Sequence, residues 1–288
     1  VTPCPKDPHA TPSNAPKSNP SLARSPIGIF DSGVGGISVL RELYQHLPQE
    51  TFLYFGDTAR LPYGIRSRQE IERYVREILL WLQHQGVKMV IMACNTSSAL
   101  ALEAVRKDYD FPILGLILPA AQTATRQGRR IGVIATPATA ASGAYQQAIQ
   151  EIDTTAQVWA MGCPEFVPLV EANRVYDPYT RQVAAEYLEP LLQQHIDTLI
   201  YGCTHYPHLS PIIRSLVPPH VRLIDPAISV VQATVQELSL LGLSNDAPPQ
   251  PTRFGVSGCP HHFAIAARPW LGFSPQVEAV ELPRLDPV

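Results

Sequence analysis

Two cysteines stand at equivalent points of the chain. Cys94 ends an apolar run over residues 87–93 and is followed by Asn95, Thr96, Ser97 and Ser98. Cys203 ends a second run over 198–202 and is followed by Thr204 and His205. Upstream, Ile27-Gly28-Ile29-Phe30 runs into Asp31-Ser32, and Ile131-Gly132-Val133-Ile134 runs into Ala135-Thr136, so each half opens with a strand and a polar turn. If both halves fold alike, the thiols face each other across the gap between them. A facing pair suits inversion at a stereogenic carbon: one base takes the proton from one face and one acid returns a proton to the other. A free thiol is only slightly ionised at neutral pH, and a cation or helix N-terminus beside it raises the thiolate share. One sulfur can then be charged while its partner keeps its proton.

The elements that position these residues follow from the apolar periodicity. Short apolar runs at 27–30, 51–55, 87–93, 112–117, 131–134, 198–201, 221–224 and 252–258 read as strands, and segments with helical spacing alternate with them. Ser67 and Glu70 have capping-box spacing before a helix that carries Ile71, Tyr74, Val75, Ile78, Leu79 and Leu82 on one face, with Gly86 as its stop. Helices are also expected over 99–107, 142–152, 179–194, 227–240 and 261–271, the third being broken or kinked at Pro190, and Asp225-Pro226 marks a turn. This alternation predicts an α/β protein with two pseudo-symmetric domains, each a mainly parallel sheet flanked by helices. The expected division is 26–118 plus 226–288 for the first domain and 119–225 for the second, after a disordered Pro-rich extension over 1–25. Ligands of such sheets lie beyond the carboxyl ends of the strands. Asp31, Asp57, Cys94, Thr136 and Cys203 are all placed there, and the active site is expected between the domains.

Composition narrows the field. With 288 residues, 45% of them hydrophobic, the chain can bury a substantial core. A net charge of −3 without a basic stripe argues against nucleic acid or an anionic membrane surface as partner. No apolar run reaches the length of a membrane span. The five cysteines, Cys4, Cys94, Cys163, Cys203 and Cys259, form no C-x-x-C pair, so neither a disulfide framework nor a zinc ribbon is expected, and a reducing cytoplasm is the natural setting. No basic region followed by an apolar one marks a secretory signal at the N-terminus. Cys4, Cys163 and Cys259 have no internal mate and read as incidental. Cys203, His205 and His208 offer zinc-ligand chemistry but no evident fourth ligand, so no metal is expected. The four lysines, Lys6, Lys17, Lys88 and Lys107, avoid site-like turns, which argues against a pyridoxal Schiff base.

Six stretches together carry a resemblance: IGIFDSGVGGISVL (27–40), YFGDTARLPYG (54–64), ACNTSSA (93–99), CPEFVPLVE (163–171), GCTHYP (202–207) and FGVSGCPHHF (254–263). The chain resembles bacterial glutamate racemases of the aspartate/glutamate racemase superfamily over nearly everything after residue 25, departing at Ser97, Ser98 and Ala135. The resemblance implies cofactor-independent, two-base racemisation of L-glutamate to D-glutamate for peptidoglycan, in a cytoplasmic enzyme expected to be a homodimer. It implies Cys94 and Cys203 as the catalytic thiols, Asp31 and His205 as residues assisting proton transfer, and Asp57 and Glu171 as auxiliary acids. It also implies substrate contacts from Asp31, Ser32, Tyr63, Gly64, Asn95, Thr96, Thr139, Thr204 and His205. Aspartate, one methylene shorter, is the competing substrate. A hydrolase in which Cys203 attacks an acyl carbon with His205 as base, and a two-lobed amino-acid-binding protein without chemistry, are the readings from other classes.

Overall fold

The computed structural model describes residues 20–285. Among the described residues, ten strands form two sheets. In chain order they are β1 (Ile27–Asp31), β2 (Phe52–Gly56), β3 (Met89–Met92), β4 (Ile113–Gly115), β5 (Arg130–Ala135), β6 (Gln157–Gly162), β7 (Thr198–Gly202), β8 (Arg222–Ile224), β9 (Arg253–Val256) and β10 (Val277–Ala279). The first sheet has the order β10-β9-β2-β1-β3-β4 and the second β6-β5-β7-β8. Every pairing is parallel. Strands β1, β2, β3 and β7 are buried along their whole length, which is why they read as unbroken apolar runs rather than as alternations.

Parallel register aligns the carboxyl ends. Asp31 pairs with Gly56 and Phe30 with Met92 across β1, β2 and β3, while Ala135 pairs with Gly202 across β5 and β7. The turns that carry Asp31-Ser32, Cys94, Thr136 and Cys203 therefore leave the sheets at corresponding edges. Strand β9 pairs with β2 and β10 with β9, so the last two strands extend the first sheet.

The Arg68–His84 helix forms as its spacing predicts. Ser67 Oγ accepts from the Glu70 amide and the Glu70 carboxylate accepts from the Ser67 amide, while Ile71, Tyr74, Val75, Ile78, Leu79 and Leu82 are buried. On the sheet's far edge, the fully buried Lys88 Nζ donates to Glu50 Oε2 at 2.5 Å, to the Ala23 carbonyl at 2.5 Å and to the Leu243 carbonyl at 2.7 Å. One cation thus ties together β3, the start of β2, the first helical turn and the end of the Pro226–Leu241 helix.

Several local expectations are corrected. The extension expected over 1–25 lies outside the described residues up to 19, but Pro20–Ala23 is a helical turn whose Ala23 is buried. The helix after Cys94 starts at once, as Asn95–Leu100, and not at Ala99. The helix expected over 142–152 starts at Ala144, after Gly143 takes a left-handed φ of 68°, and a separate short helix, Pro137–Ala141, precedes it. The Pro178–Leu192 helix continues through Pro190, whose ring removes a hydrogen bond from the final turn rather than from the middle. Asp225-Pro226 is a helix start, with the Asp225 side chain accepting from the Ala227 amide and Pro226 in the first turn. The helix Ile117–Gln127 and the edge strand β10 were not expected from periodicity. No helix among the described residues is long and apolar enough to cross a membrane.

Candidate active site

Cys94 and Cys203 line one cavity of about 330 Å³ between the two sheets. From the first sheet's turns come Asp31, Ser32, Tyr63, Gly64, Cys94, Asn95 and Thr96; from the second come Thr136, Cys163, Glu171, Cys203, Thr204 and His205. A larger cavity of about 570 Å³ lies alongside, against Trp270, and shares Leu61 and Glu171 with it, but neither Cys94 nor Cys203 lines that space.

Each thiol is placed by the strand before it. β3 delivers Cys94 as the N-terminal cap of Asn95–Leu100, and β7 delivers Cys203. Burial, with the Asp31 carboxylate adding to it, pushes the Cys94 thiol up to about 12, although hydrogen bonds from the Ser97 amide and hydroxyl oppose the rise. Cys94 is therefore a protonated thiol at neutral pH. Cys203 has a different neighbour: its Sγ lies 3.8 Å from His205 Nδ1. Glu171 Oε1 is 3.3 Å from the other ring nitrogen, Nε2. Burial disfavours a charged imidazole, but the contacts with Cys203 and Glu171 outweigh it and, with Asp31, raise His205 to about 10. An imidazolium thus stands beside the Cys203 sulfur at neutral pH.

Asp31 ends β1 inside the site. Its Oδ1 accepts from the Gly33 amide at 2.8 Å and its Oδ2 is 3.5 Å from Thr204 Oγ1, a link between the two sheets. Burial raises its carboxyl above the usual range, while the His205 charge and the amides of Gly33 and Gly36 pull the other way. Three hydroxyls form a cluster on the opposite wall: Thr96 Oγ1 is 3.0 Å from Thr136 Oγ1 and 3.1 Å from Thr139 Oγ1, and Thr136 donates to Thr139 at 2.9 Å. Hydroxyls can turn to donate, so such a wall suits a carboxylate without fixing it as strongly as a cluster of arginines would. Gly64 allows close approach here, since a Cβ on it would lie 2.8 Å from the Thr136 Cβ.

Two expected site residues do not line the cavity. Thr139 stands behind Thr96 and Thr136 in the hydroxyl cluster. Asp57 is fully buried with both oxygens occupied: Oδ1 accepts from Ser257 Oγ at 2.7 Å, and Oδ2 accepts from Arg60 Nε at 2.7 Å and from the Tyr63 hydroxyl. Arg60 in turn reaches Glu77. Asp57 thus supports the Tyr63 ring, which lines the cavity.

Sequence reasoning missed three residues. Thr136 marks a strand end but was not assigned to the substrate site, and Cys163, read as incidental, lines the cavity. Tyr145, in the Ala144–Ile152 helix, donates to Asn95 Oδ1 at 2.6 Å, a contact that no local pattern announces. Among the described residues no group of three His, Cys, Asp or Glu side chains is placed to hold a metal ion.

Residues 31–234 match the family described as Asp/Glu/Hydantoin racemase. The chain is 67% identical over 258 residues to a glutamate racemase of Nostoc sp., covering 90% of this chain and 88% of that protein. Among solved structures it is similar to a glutamate racemase isoform from Bacillus anthracis, with a TM-score of 0.87 and 36% identity, covering 91% of this chain and 99% of that one. It is also similar to the glutamate racemase from Francisella tularensis in complex with D-glutamate, with a TM-score of 0.85 and 34% identity, covering 90% and 98%.

Proposed function

The chain belongs to the Asp/Glu/Hydantoin racemase family, and we propose that it interconverts L- and D-glutamate without a cofactor, exchanging the α-proton between two thiols. The observation that carries this reading is that Cys94 and Cys203, delivered by different sheets, line the same cavity in unlike surroundings. Cys94 is the buried thiol held protonated, the form an acid requires. Cys203 is the thiol with a cation beside it, the setting in which a cysteine serves as base.

In one direction, Cys203 removes the α-proton and Cys94 protonates the opposite face. The reverse direction exchanges the roles. His205, held by Glu171, stabilises charge on the Cys203 side, and Asp31 stands between the Cys94 surroundings and Thr204. Positioned acids and bases of this kind each contribute about 10²- to 10⁴-fold. Ser32, Tyr63, Gly64, Asn95, Thr96, Thr136 and Thr204 hold the substrate, with Thr139 and Asp57 supporting Thr96 and Tyr63 from behind. Only buried hydroxyls, amides and backbone groups are asked to bind the carboxylates, which keeps binding soft enough for release.

The reading extends to the whole molecule. The sheets correspond to two domains, 26–118 with 226–288 and 119–225, and the enzyme works as a cytoplasmic homodimer that supplies D-glutamate to peptidoglycan. Sedimentation of the purified protein tests the dimer. The activity itself is tested by polarimetry with no added cofactor: solutions of L-glutamate and of D-glutamate should both decay to zero rotation. L-Aspartate should react at least about tenfold more slowly, the discrimination that one methylene typically provides. Stable rotation of glutamate at high enzyme concentration would contradict the assignment, and faster decay of aspartate would change the substrate.

A further inference from the structure

We infer that Tyr145 is a positioning residue for substrate binding: its hydroxyl holds the Asn95 carboxamide so that the NH₂ edge is left to donate to a carboxylate of the substrate. The inference rests on the glutamate reading above and adds a residue to it from outside the cavity lining.

The geometry has three parts. The Tyr145 O–H donates to Asn95 Oδ1 at 2.6 Å, and among the described residues this hydroxyl makes no other hydrogen bond. Asn95 lines the cavity, and its Nδ2 is buried with no partner among the described residues. Both side chains are nearly inaccessible, Tyr145 at 3% and Asn95 at 2% exposure. A buried carboxamide whose oxygen is occupied and whose nitrogen is not has one deficit, an acceptor. Leaving such a donor unpaired costs free energy, and an anionic oxygen arriving in the cavity supplies the missing partner.

Tyr145 decides which edge is free. The two ends of a carboxamide are nearly the same size, so without a hydrogen-bond partner the group can turn over and present its oxygen. An oxygen facing a carboxylate repels it. The Tyr145 hydroxyl prevents that turn, because donation to Oδ1 is the only use its proton has there. The hydroxyl remains a neutral donor: burial, with the charges of Asp225 and Cys203 adding to it, pushes its ionisation well above the ordinary tyrosine range. The helix that carries Tyr145 is itself fixed against the hydroxyl cluster, since Ser142 Oγ donates to the Thr139 carbonyl at 2.6 Å and accepts from the Ala144 amide at 3.2 Å. Asn95 belongs to the first sheet's turn and Tyr145 to the second sheet's helix, so the donor edge is set only when the two layers are packed together.

The test is a double-mutant cycle of wild type, Tyr145→Phe, Asn95→Ala and the double variant, read by racemisation kinetics in both directions and by calorimetric titration with glutamate. Tyr145→Phe should raise KM by about tenfold, the loss expected for a hydrogen bond to a charged group, with kcat and its pH dependence nearly unchanged. On the Asn95→Ala background the same change should have no further effect, because its only route to the substrate is gone. An equal loss on both backgrounds, or a fall in kcat at unchanged KM, would overturn the positioning role, since both would mark Tyr145 as packing or as part of the chemistry. An active wild type matched by Tyr145→Phe would also overturn it while leaving the racemase reading intact. A wild type that binds glutamate with the predicted cycle but does not racemise it would uphold the positioning and remove the activity.

Discussion

Gly35 lies against His205. A Cβ on Gly35 would stand 2.6 Å from His205 Nδ1 and would also strike Thr204 Oγ1. The loop after β1 therefore meets the loop after β7 with no room for a methyl group, and the imidazole beside Cys203 is located from both sheets. Gly35→Ala should displace His205 and Thr204 and lower kcat/KM by about 100-fold, the scale expected when a reacting group moves by about an ångström. Steady-state kinetics beside a thermal melt would check it. Loss of activity with a nearly unchanged Tm is the expected outcome.

Asp57 is predicted to act through Tyr63. Asp57→Asn weakens a buried contact with Arg60 and alters those with Tyr63 and Ser257, so it should destabilise the fold by about 3 kcal/mol. The folded variant should racemise glutamate with a raised KM and most of its kcat. Urea unfolding and kinetics on the same preparation measure both effects. A loss as deep as that from removing a thiol would return Asp57 to the chemistry.

The extent to which all this was legible differs by residue. Strands ending at Asp31, Cys94 and Cys203 were readable because strands of a parallel sheet, covered on both faces, are continuous apolar runs that stop where the polar turn begins. The capping box at Ser67 was readable because its partners are three residues apart. The occupancy of Asp57 was not, since Ser257 reaches it across 200 positions. Tyr145 likewise meets Asn95 over a separation of 50 positions and otherwise looks like an ordinary apolar face residue. The Ile117–Gln127 helix was obscured because Pro119 lies in its first turn, where a missing amide proton costs no helical hydrogen bond.

His205 gives stability a pH dependence of definite sign. Its folded-state value is raised from 6.5 to about 10, so it contributes stability that is fully present below about 6.5 and is lost as pH rises towards 10. The groups responsible are Cys203, Glu171 and Asp31. Wild type should lose stability relative to His205→Gln across that interval, as measured by denaturant midpoints at a series of pH values. A constant difference between the two proteins would show that the imidazole is neutral in the fold.

Lys88 and Glu50 form a clamp remote from the cavity. Lys88→Met leaves the Glu50 carboxylate buried without its cation and should cost about 3–5 kcal/mol. Lys88→Met combined with Glu50→Gln should recover part of that loss. Neither variant should change KM for glutamate in the folded protein, because neither residue approaches the cavity. Denaturation midpoints and kinetics for the set would check both statements.

The two-thiol exchange is tested by incubating L-glutamate in D₂O with wild type, Cys94→Ala and Cys203→Ala, following optical rotation and α-deuterium content together. Wild type should lose rotation and incorporate deuterium at the α-carbon with no cofactor added. Each single variant should fold, bind glutamate and fail to interconvert the enantiomers. Sustained racemisation by either variant would contradict the account, because one sulfur would then be serving both faces of the carbon.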